Sequence, residues 1–271
     1  MGLRVNTNLF SLTAQRNLGN ASDRLGGNFA RLSSGLRIAT AADDAAGLGV
    51  SERLRSQIRS LGQAGRNAQD GISLAQTAEG ALNEVSSNLI RMRELAIQGA
   101  NETLSAEDRD AIDVEFQALD DEINRIAGAT EFNGINLLNT SANIDIQVGI
   151  DSGQTIGVTT QDVTSATLGI NALDTQDETN SAAALATLDT AIGSVNTARG
   201  NLGAQQNRLS SAFRSIQNTR EGLSAAESRI RDVDVAAESA DLTRNSIVQQ
   251  AAVSILGQAN VQPQLALSLI G

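Results

Sequence analysis

The sequence predicts a mainly α fold: a long antiparallel helical bundle or coiled coil with a small β-hairpin region, its two terminal helices paired with each other. Three observations carry this expectation. Every seventh residue from Leu188 is apolar, through Val195, Leu202, Leu209, Ile216, Leu223 and Ile230, which describes one seam of a long helix packing in the coiled-coil manner. A second row, Leu61, Ala68, Ala75, Leu82, Leu89 and Ala96, repeats at the same interval in the first half. Apolar residues make up 41% of the 271, yet five Phe are the only aromatics, so the side-chain volume suits thin bundles better than a thick globular core.

Taken in order, the first element is a helix carrying Leu18, Ala21, Leu25, Phe29, Leu32 and Leu36 at steps close to 3.6, with Leu9 ahead of them. Leu18 to Phe29 and Leu25 to Leu36 also repeat at eleven. A long helix follows from about Ala45 to Gly99, with Ile58, Ile72 and Val85 beside its heptad row. ANETLSAEDRD then reads as a polar turn, and Ile112, Phe116, Leu119, Ile123 and Ile126 mark a third, shorter helix. In EFNGINLL, Asn133-Gly134 is a hairpin-type turn signal. Ile144, Ile146, Val148 and Ile150 alternate with polar residues, and TIGVTT continues after DSGQ, which reads as a two-stranded hairpin within about 131–160. QDVTSATLGINALDTQDETN is a polar connector, too short for a domain. The second long helix starts with Ser181 as its N-cap and ends at the acidic RDVDV around Asp232 and Asp234. About 50 residues at roughly 1.5 Å each make a rod of about 75 Å. A last helix from about Val235 to Leu256 carries Ile247, Val248, Ile255 and Leu256, followed by Leu265, Leu267, Leu269 and Ile270.

The composition excludes most chemistry. There is no His, Cys, Trp, Tyr or Lys, so all 20 basic residues are Arg. Without His or Cys the usual general bases, thiol nucleophiles and transition-metal ligands are missing, and neither an enzyme nor a cofactor or metal site is expected. Asp43 and Asp44 are adjacent and point to different faces of a helix, which does not suit a metal. A net charge of -11 repels nucleic acid. The opening MGLRVNTNLFSLTAQRNL has no apolar run before a small-residue cleavage site, so no cleaved signal peptide is expected. No stretch of about 18 apolar residues predicts a membrane span.

The terminal helices each carry a stripe too thin to be stable alone, because amphipathic helices draw most of their stability from packing. They are expected to cover each other and still to leave apolar sides exposed. A monomer rarely displays such surface without using it. Identical copies can supply the rest of the cover, and head-to-tail contacts that do not close produce an open helical filament. The residues expected to pack in this filament core are Leu9, Leu18, Leu25, Phe29, Leu32, Ile247, Val248, Ile255, Leu256, Leu267 and Leu269.

Five stretches closely resemble bacterial flagellin: LSSGLRIATAADDAAGL at 32–48, RNAQDGISLAQTAEGALNEV at 66–85, RMRELAIQGAN at 91–101, EFNGINLL at 131–138 and QANVQPQLALSLIG at 258–271. The resemblance covers roughly residues 1–140 and 181–271 in the family's order. It implies an inner core domain of paired terminal helices, 1–44 with 232–271, and an outer core domain, 45–180 with 181–231, with ATAADDAAGLG as a spoke between them. The large variable outer domain of many flagellins is essentially absent. The resemblance further implies assembly into the extracellular flagellar filament used for motility, after export through the flagellar type III secretion apparatus. It implies an export chaperone, a cap protein and hook-junction proteins as partners, and a host Toll-like receptor site matched by Arg91, Leu95 and Glu115.

Two rival readings remain at this point. A hook-filament junction protein shares the termini and forms a short ring instead of an indefinite tube. A membrane-surface amphipath calls for a strongly basic polar face. The first helix offers Arg16, Arg24 and Arg31, whereas the last is mostly neutral or acidic.

Overall fold

The computed structural model describes residues 7–268, with side chains as far as residue 262. Its helices are α1 (Leu9–Ser34), α2 (Ala45–Gly99), α3 (Ala106–Ala129), the short α4 (Ser165–Leu168), α5 (Glu178–Arg231) and α6 (Val235–Ser268). Four strands lie between α3 and α4: β1 (Glu131–Phe132), β2 (Ile135–Asn136), β3 (Asn143–Gln147) and β4 (Thr155–Thr159). The chain divides into two compact units, 1–56 with 222–271, and 57–221. The division falls inside α2 and α5, later than the boundary near 44 and earlier than the one near 232 that the resemblance implied.

The unit of 57–221 holds the main core. All six members of the α2 heptad row are buried, as are the five α5 members from Leu188 to Ile216. Arg93 Nε donates to Asp189 Oδ1 at 2.6 Å and Gln206 Nε2 to Glu79 Oε2 at 2.9 Å, so position rises along α2 as it falls along α5. That makes the two helices antiparallel. Phe116, the largest fully buried side chain, enters the same cluster from α3 together with Ile112 and Ile123. The third helix begins earlier than its apolar pattern. Ser105 caps Asp108 N at 3.2 Å while Asp108 Oδ2 accepts from Ser105 N at 3.2 Å, a capping box that draws AEDRD into the first turns. The Ser105 hydroxyl, donating to Asp108 Oδ2 at 2.7 Å, and the Ser105 amide hold the Asp108 carboxyl below its ordinary pKa.

The β region is two separate two-stranded hairpins. β1 and β2 pair around Asn133 (φ 51) and Gly134 (φ 77), both in the left-handed region that a two-residue hairpin turn demands. β3 pairs antiparallel with β4, Ile144 opposite Val158 and Ile146 opposite Ile156. Ile150 falls in the connecting turn and is exposed. The stretch read as a polar connector is packed: Val163, Leu168, Ile170 and Thr175 are buried. Its anchor is Asp113 on α3, also buried, whose carboxylate accepts from Thr175 N at 2.8 Å and from Gln176 Nε2 at 3.1 Å. That folding-back draws the start of α5 to Glu178, so Ser181 lies inside the helix, buried, and donates to Thr175 O at 3.2 Å.

In the unit of 1–56 with 222–271, Gly35 (φ 71) closes α1 by donating to Arg31 O at 2.9 Å. The chain leaving α1 then meets the end of α5. Leu36 bridges Asp232, Arg37 N donates to Arg231 O at 2.7 Å, and Val233 N donates to Gly35 O at 3.0 Å.

Candidate assembly surface

The helices α1 and α6 pair antiparallel. Asn8 Nδ2 donates to Ala259 O at 2.7 Å, Ser11 Oγ to Asn260 Oδ1 at 2.7 Å, Gln249 Nε2 to Ser22 Oγ at 3.1 Å and Asn28 Nδ2 to Glu238 Oε1 at 2.6 Å. The covered positions on α1 are Ser11, Ala14, Leu18, Ala21, Leu25, Asn28 and Leu32, and those on α6 are Glu238, Leu242, Asn245, Gln249, Ala252, Leu256 and Ala259. Both sets alternate steps of three and four, the spacing of a coiled-coil seam. Small and polar residues occupy much of it. Where Leu occurs it is half-buried, whereas Ala14, Ala21, Ala252 and Ala259 are buried.

The large apolar side chains lie mostly off this seam. On α1, Leu9, Phe10, Leu12 and Phe29 are exposed, and on α6 so are Val235, Ile247, Val248, Val253, Ile255 and Val261, each between 49% and 61%. Of the expected filament-core residues, Leu18, Leu25, Leu32 and Leu256 therefore join the two helices, while Leu9, Phe29, Ile247, Val248 and Ile255 face outward. Leu267 lies where only the helix backbone is described, and Leu269 lies outside the described residues. Phe10, Leu12, Val235, Val253 and Val261 belong to the outward surface and were not singled out from sequence. They lie off the seam, as do Ile247, Val248 and Ile255.

The helical spacing places Phe29 in the α1 stripe, but Asn28 occupies the seam there, 6% exposed, and Phe29 points away. The seam needs a step of three from Leu25, and Asn28 finds polar partners in Glu238 and Asn245, whose Nδ2 donates to Asn28 Oδ1 at 2.8 Å. Its burial is thereby compensated.

In the unit of 57–221, Arg91 and Glu115 come together as an exposed ion pair, Nε to Oε1 at 2.8 Å, linking α2 to α3. The hydrogen bond to Glu115, reinforced by Glu94, raises the Arg91 pKa further above its ordinary value. Leu95 does not share that surface: it is 2% exposed and packs in the main core. Leu95 directly follows Glu94, and the turn of α2 from one residue to the next carries its side chain inward. Asp43 is spent on the backbone, its Oδ2 accepting from Thr40 N at 2.9 Å, and Asp44 Oδ1 accepts from Gly47 N at 2.9 Å. Among the described residues no group of three or more Asp and Glu could hold a metal ion, and no helix is long and apolar enough to cross a membrane.

Comparison with known proteins adds to this geometry. Residues 5–143 match the model of the bacterial flagellin N-terminal helical region, and residues 185–270 match that of the bacterial flagellin C-terminal helical region. The chain belongs to the bacterial flagellin family. It is 47% identical to a flagellin of Halalkalibacterium halodurans over 98% of this chain and 99% of that one. It is 43% identical to the flagellar filament 30.7 kDa core protein of Treponema maltophilum, covering 98% and 99% of the two chains. The crystal structure of Bacillus cereus flagellin superposes with a TM-score of 0.52 at 39% identity, over 56% of this chain and 88% of that chain. The near-complete coverage of these relatives fits a short family member without a large insertion between the two helical regions.

Proposed function

We propose that copies of this chain stack through the outward faces of α1 and α6 into an open helical filament, as the structural subunit of the bacterial flagellum used for motility. The observation that carries this is the pairing of the two ends through small and polar residues while ten large apolar side chains among the described residues remain exposed around them. Burial of such surface is the main driving force of association. The relatives named as flagellin and as filament core protein support an indefinite tube and do not favour the hook-filament junction reading. On this reading the chain is structural and not catalytic, and it works outside the cell. It leaves through the flagellar type III secretion apparatus, an export chaperone masking the apolar face of α6 until assembly. The cap protein and the hook-junction proteins meet the two ends of the tube.

The experiment is seeded growth: purified chain is added to short filament fragments and examined by electron microscopy. Elongation of the seeds is expected, and seeds that stay short would refute the proposal.

A second proposal rests on the exposed Arg91–Glu115 pair. Its charges offer a host Toll-like receptor a patch, shaped from beneath by Leu95. A surface pair of this kind contributes little to folding, about 0–1 kcal/mol. Arg91→Ala should therefore abolish receptor binding with little change in thermal stability; unaltered binding would dismiss the site.

A further inference from the structure

The tip of the β1–β2 hairpin holds the one Asn-Gly pair of the sequence, Asn133-Gly134. Asn is chemically labile where the next backbone nitrogen can reach its side-chain carbonyl carbon, and Gly presents that nitrogen with no side chain in the way. Both residues are exposed, and a Cβ at Gly134 would meet nothing within 4 Å, so the turn is open to water.

Elsewhere the same reaction is blocked. Most other asparagines lie in helices, where the following amide is bound to the turn before it. Asn180 and Asn245, each followed by Ser, are of this kind, and the amide after Asn180 donates to Asp177 O at 2.9 Å. Asn136 spends its side chain on Gly128 O at 2.8 Å and on the amides of Leu138 and Asn139 at 3.2 and 3.0 Å. Asn143 lies in β3 and donates to Asp145 Oδ1 at 2.9 Å. Asn101, Asn139 and Asn171 are followed by Glu, Thr and Ala, whose side chains crowd the attacking nitrogen.

We propose that Asn133 is the site at which this chain modifies itself, closing to a succinimide that opens to aspartate or isoaspartate, and that the closed hairpin holds the reaction off. Gly134 N bonds to Asn133 Cγ and gives up its proton to water; the Cγ–Nδ2 bond breaks and ammonia leaves. Water then opens the ring. Cleavage at Cγ leaves Asp, whereas cleavage at the backbone carbonyl leaves isoaspartate, with Cβ now part of the main chain. Ring closure needs the Gly134 nitrogen on the same side as the Asn133 Cβ. With Asn133 in the left-handed region, at φ 51, that nitrogen is turned to the far side, and the pairing of Phe132 with Ile135 keeps it there. A ladder of two residues per strand is weak by itself and opens locally. Each opening exposes Asn133 to a reaction that does not reverse. Isoaspartate lengthens a turn without slack, for Phe132 faces Ile135 across only two residues and Leu137 N donates to Thr130 O at 3.0 Å. A modified chain therefore carries one more carboxylate close to Glu131 and a hairpin that no longer closes in this form.

The test incubates the full, unassembled chain at mildly alkaline pH, folded and in urea. Peptide mass spectrometry reads the exchange of amide for carboxylate at each asparagine, and hydroxylamine, which cleaves the succinimide, reads the ring itself as a cut into 1–133 and 134–271. In urea Asn133 should convert ahead of every other asparagine. In the folded chain its conversion should be slower by about tenfold or more, because only the opened fraction reacts. Asn136→Ala releases the hairpin from Gly128 at the end of α3 and should leave helical circular dichroism unchanged; it is expected to raise the folded rate several-fold. Asn133→Gln, whose ring would need one more atom, should remove the hydroxylamine cut. Equal rates at Asn133 in the folded and the urea-treated chain overturn the proposal, as does another asparagine converting first in urea. An Asn136→Ala chain that stays folded and converts no faster than the unaltered one also overturns it. All of these are read without assembly, so failure of seeded growth would count against the filament proposal and leave this one standing.

Discussion

Ile255 and Leu256 are neighbours in the chain that point to different places, and replacing each by Asp separates two processes. Ile255 is 57% exposed on the outer side of α6, whereas Leu256 is half-buried in the seam with α1. Full burial of an Ile side chain is worth about 1.5–3 kcal/mol, so a little over half of that, about 1–1.7 kcal/mol, is still to be gained by Ile255 on association. Asp at 255 forfeits this gain and adds the cost of removing an unpartnered carboxylate from water, several kcal/mol in a closed contact. A combined loss of about 4 kcal/mol corresponds to a rise of roughly a thousandfold in the concentration needed for elongation. The unassembled chain should keep its helical circular dichroism, because nothing in its own fold covers position 255. Leu256→Asp should also block growth, but with a loss of helical circular dichroism in the unassembled chain, since it strikes the pairing itself. The assay is sedimentation of seeded mixtures over a concentration series. An Ile255→Asp chain that elongates within about threefold of the unaltered concentration, a difference under 1 kcal/mol, would refute the argument that the outer face of α6 is a buried contact in the filament.

Three further outcomes follow from the unit of 57–221. Phe116→Ala empties the largest fully buried site and should cost about 3–5 kcal/mol, lowering the melting temperature by roughly 6–20 °C in calorimetry at 2–4 °C per kcal/mol. Asp113→Ala leaves the buried Thr175 amide without its acceptor; a loss of about 1–3 kcal/mol is expected, with faster hydrogen exchange at Thr175 as the diagnostic sign. Asp120 has its pKa raised by burial, and its Oδ1 is buried without a hydrogen-bond partner. Because the folded-state pKa lies above the unfolded one, the stability linked to protonation is fully present below the unfolded value and is lost as pH rises through the folded one. Asp120→Asn should therefore stabilise the chain against urea at pH 7 and have little effect at pH 3.

The long helices were legible because their spacing alone names a face. Leu188 to Ile216 in α5 and Leu61 to Ala96 in α2 are all buried at the positions that a seven-residue repeat marks. The hairpin turn at Asn133-Gly134 was equally readable, since few residues accept a positive φ. What escaped was polar burial. Asn28 was passed over for Phe29 because its partner Glu238 lies 210 residues away, and no periodic signal links the two. The same holds for Asp113, whose bonds to Thr175 and Gln176 turn an apparently loose connector into packed structure. The Ser105–Asp108 box was missed for a different reason: it is local, but its residues also suit a turn, and only the geometry decides between them. At the surface, Leu95 shows the limit of motif matching, because a shared motif gives no sign of which members face solvent.

The distribution of large apolar residues also bears on why the ends pair as they do. In the unit of 57–221 the big side chains, Phe116, Leu82, Leu89 and Leu202 among them, are buried within one chain. Around α1 and α6 the order is reversed, with Ala, Ser and Asn inside the seam and Phe, Ile and Val outside. Removing apolar area from water stabilises whichever contact removes it. A seam built from Leu and Ile would place that free energy in the single chain and leave little for association. A seam of small residues brings the two backbones together with modest stabilisation, and the surface it leaves uncovered can be buried only by other molecules. Marginal pairing of the ends and strong association are then two consequences of one arrangement. Hydrogen exchange follows directly: α1 and α6 amides should exchange quickly in dilute chain and slowly once assembled. Equal protection in both states would mean that association adds no cover to these helices, and the arrangement would need another explanation.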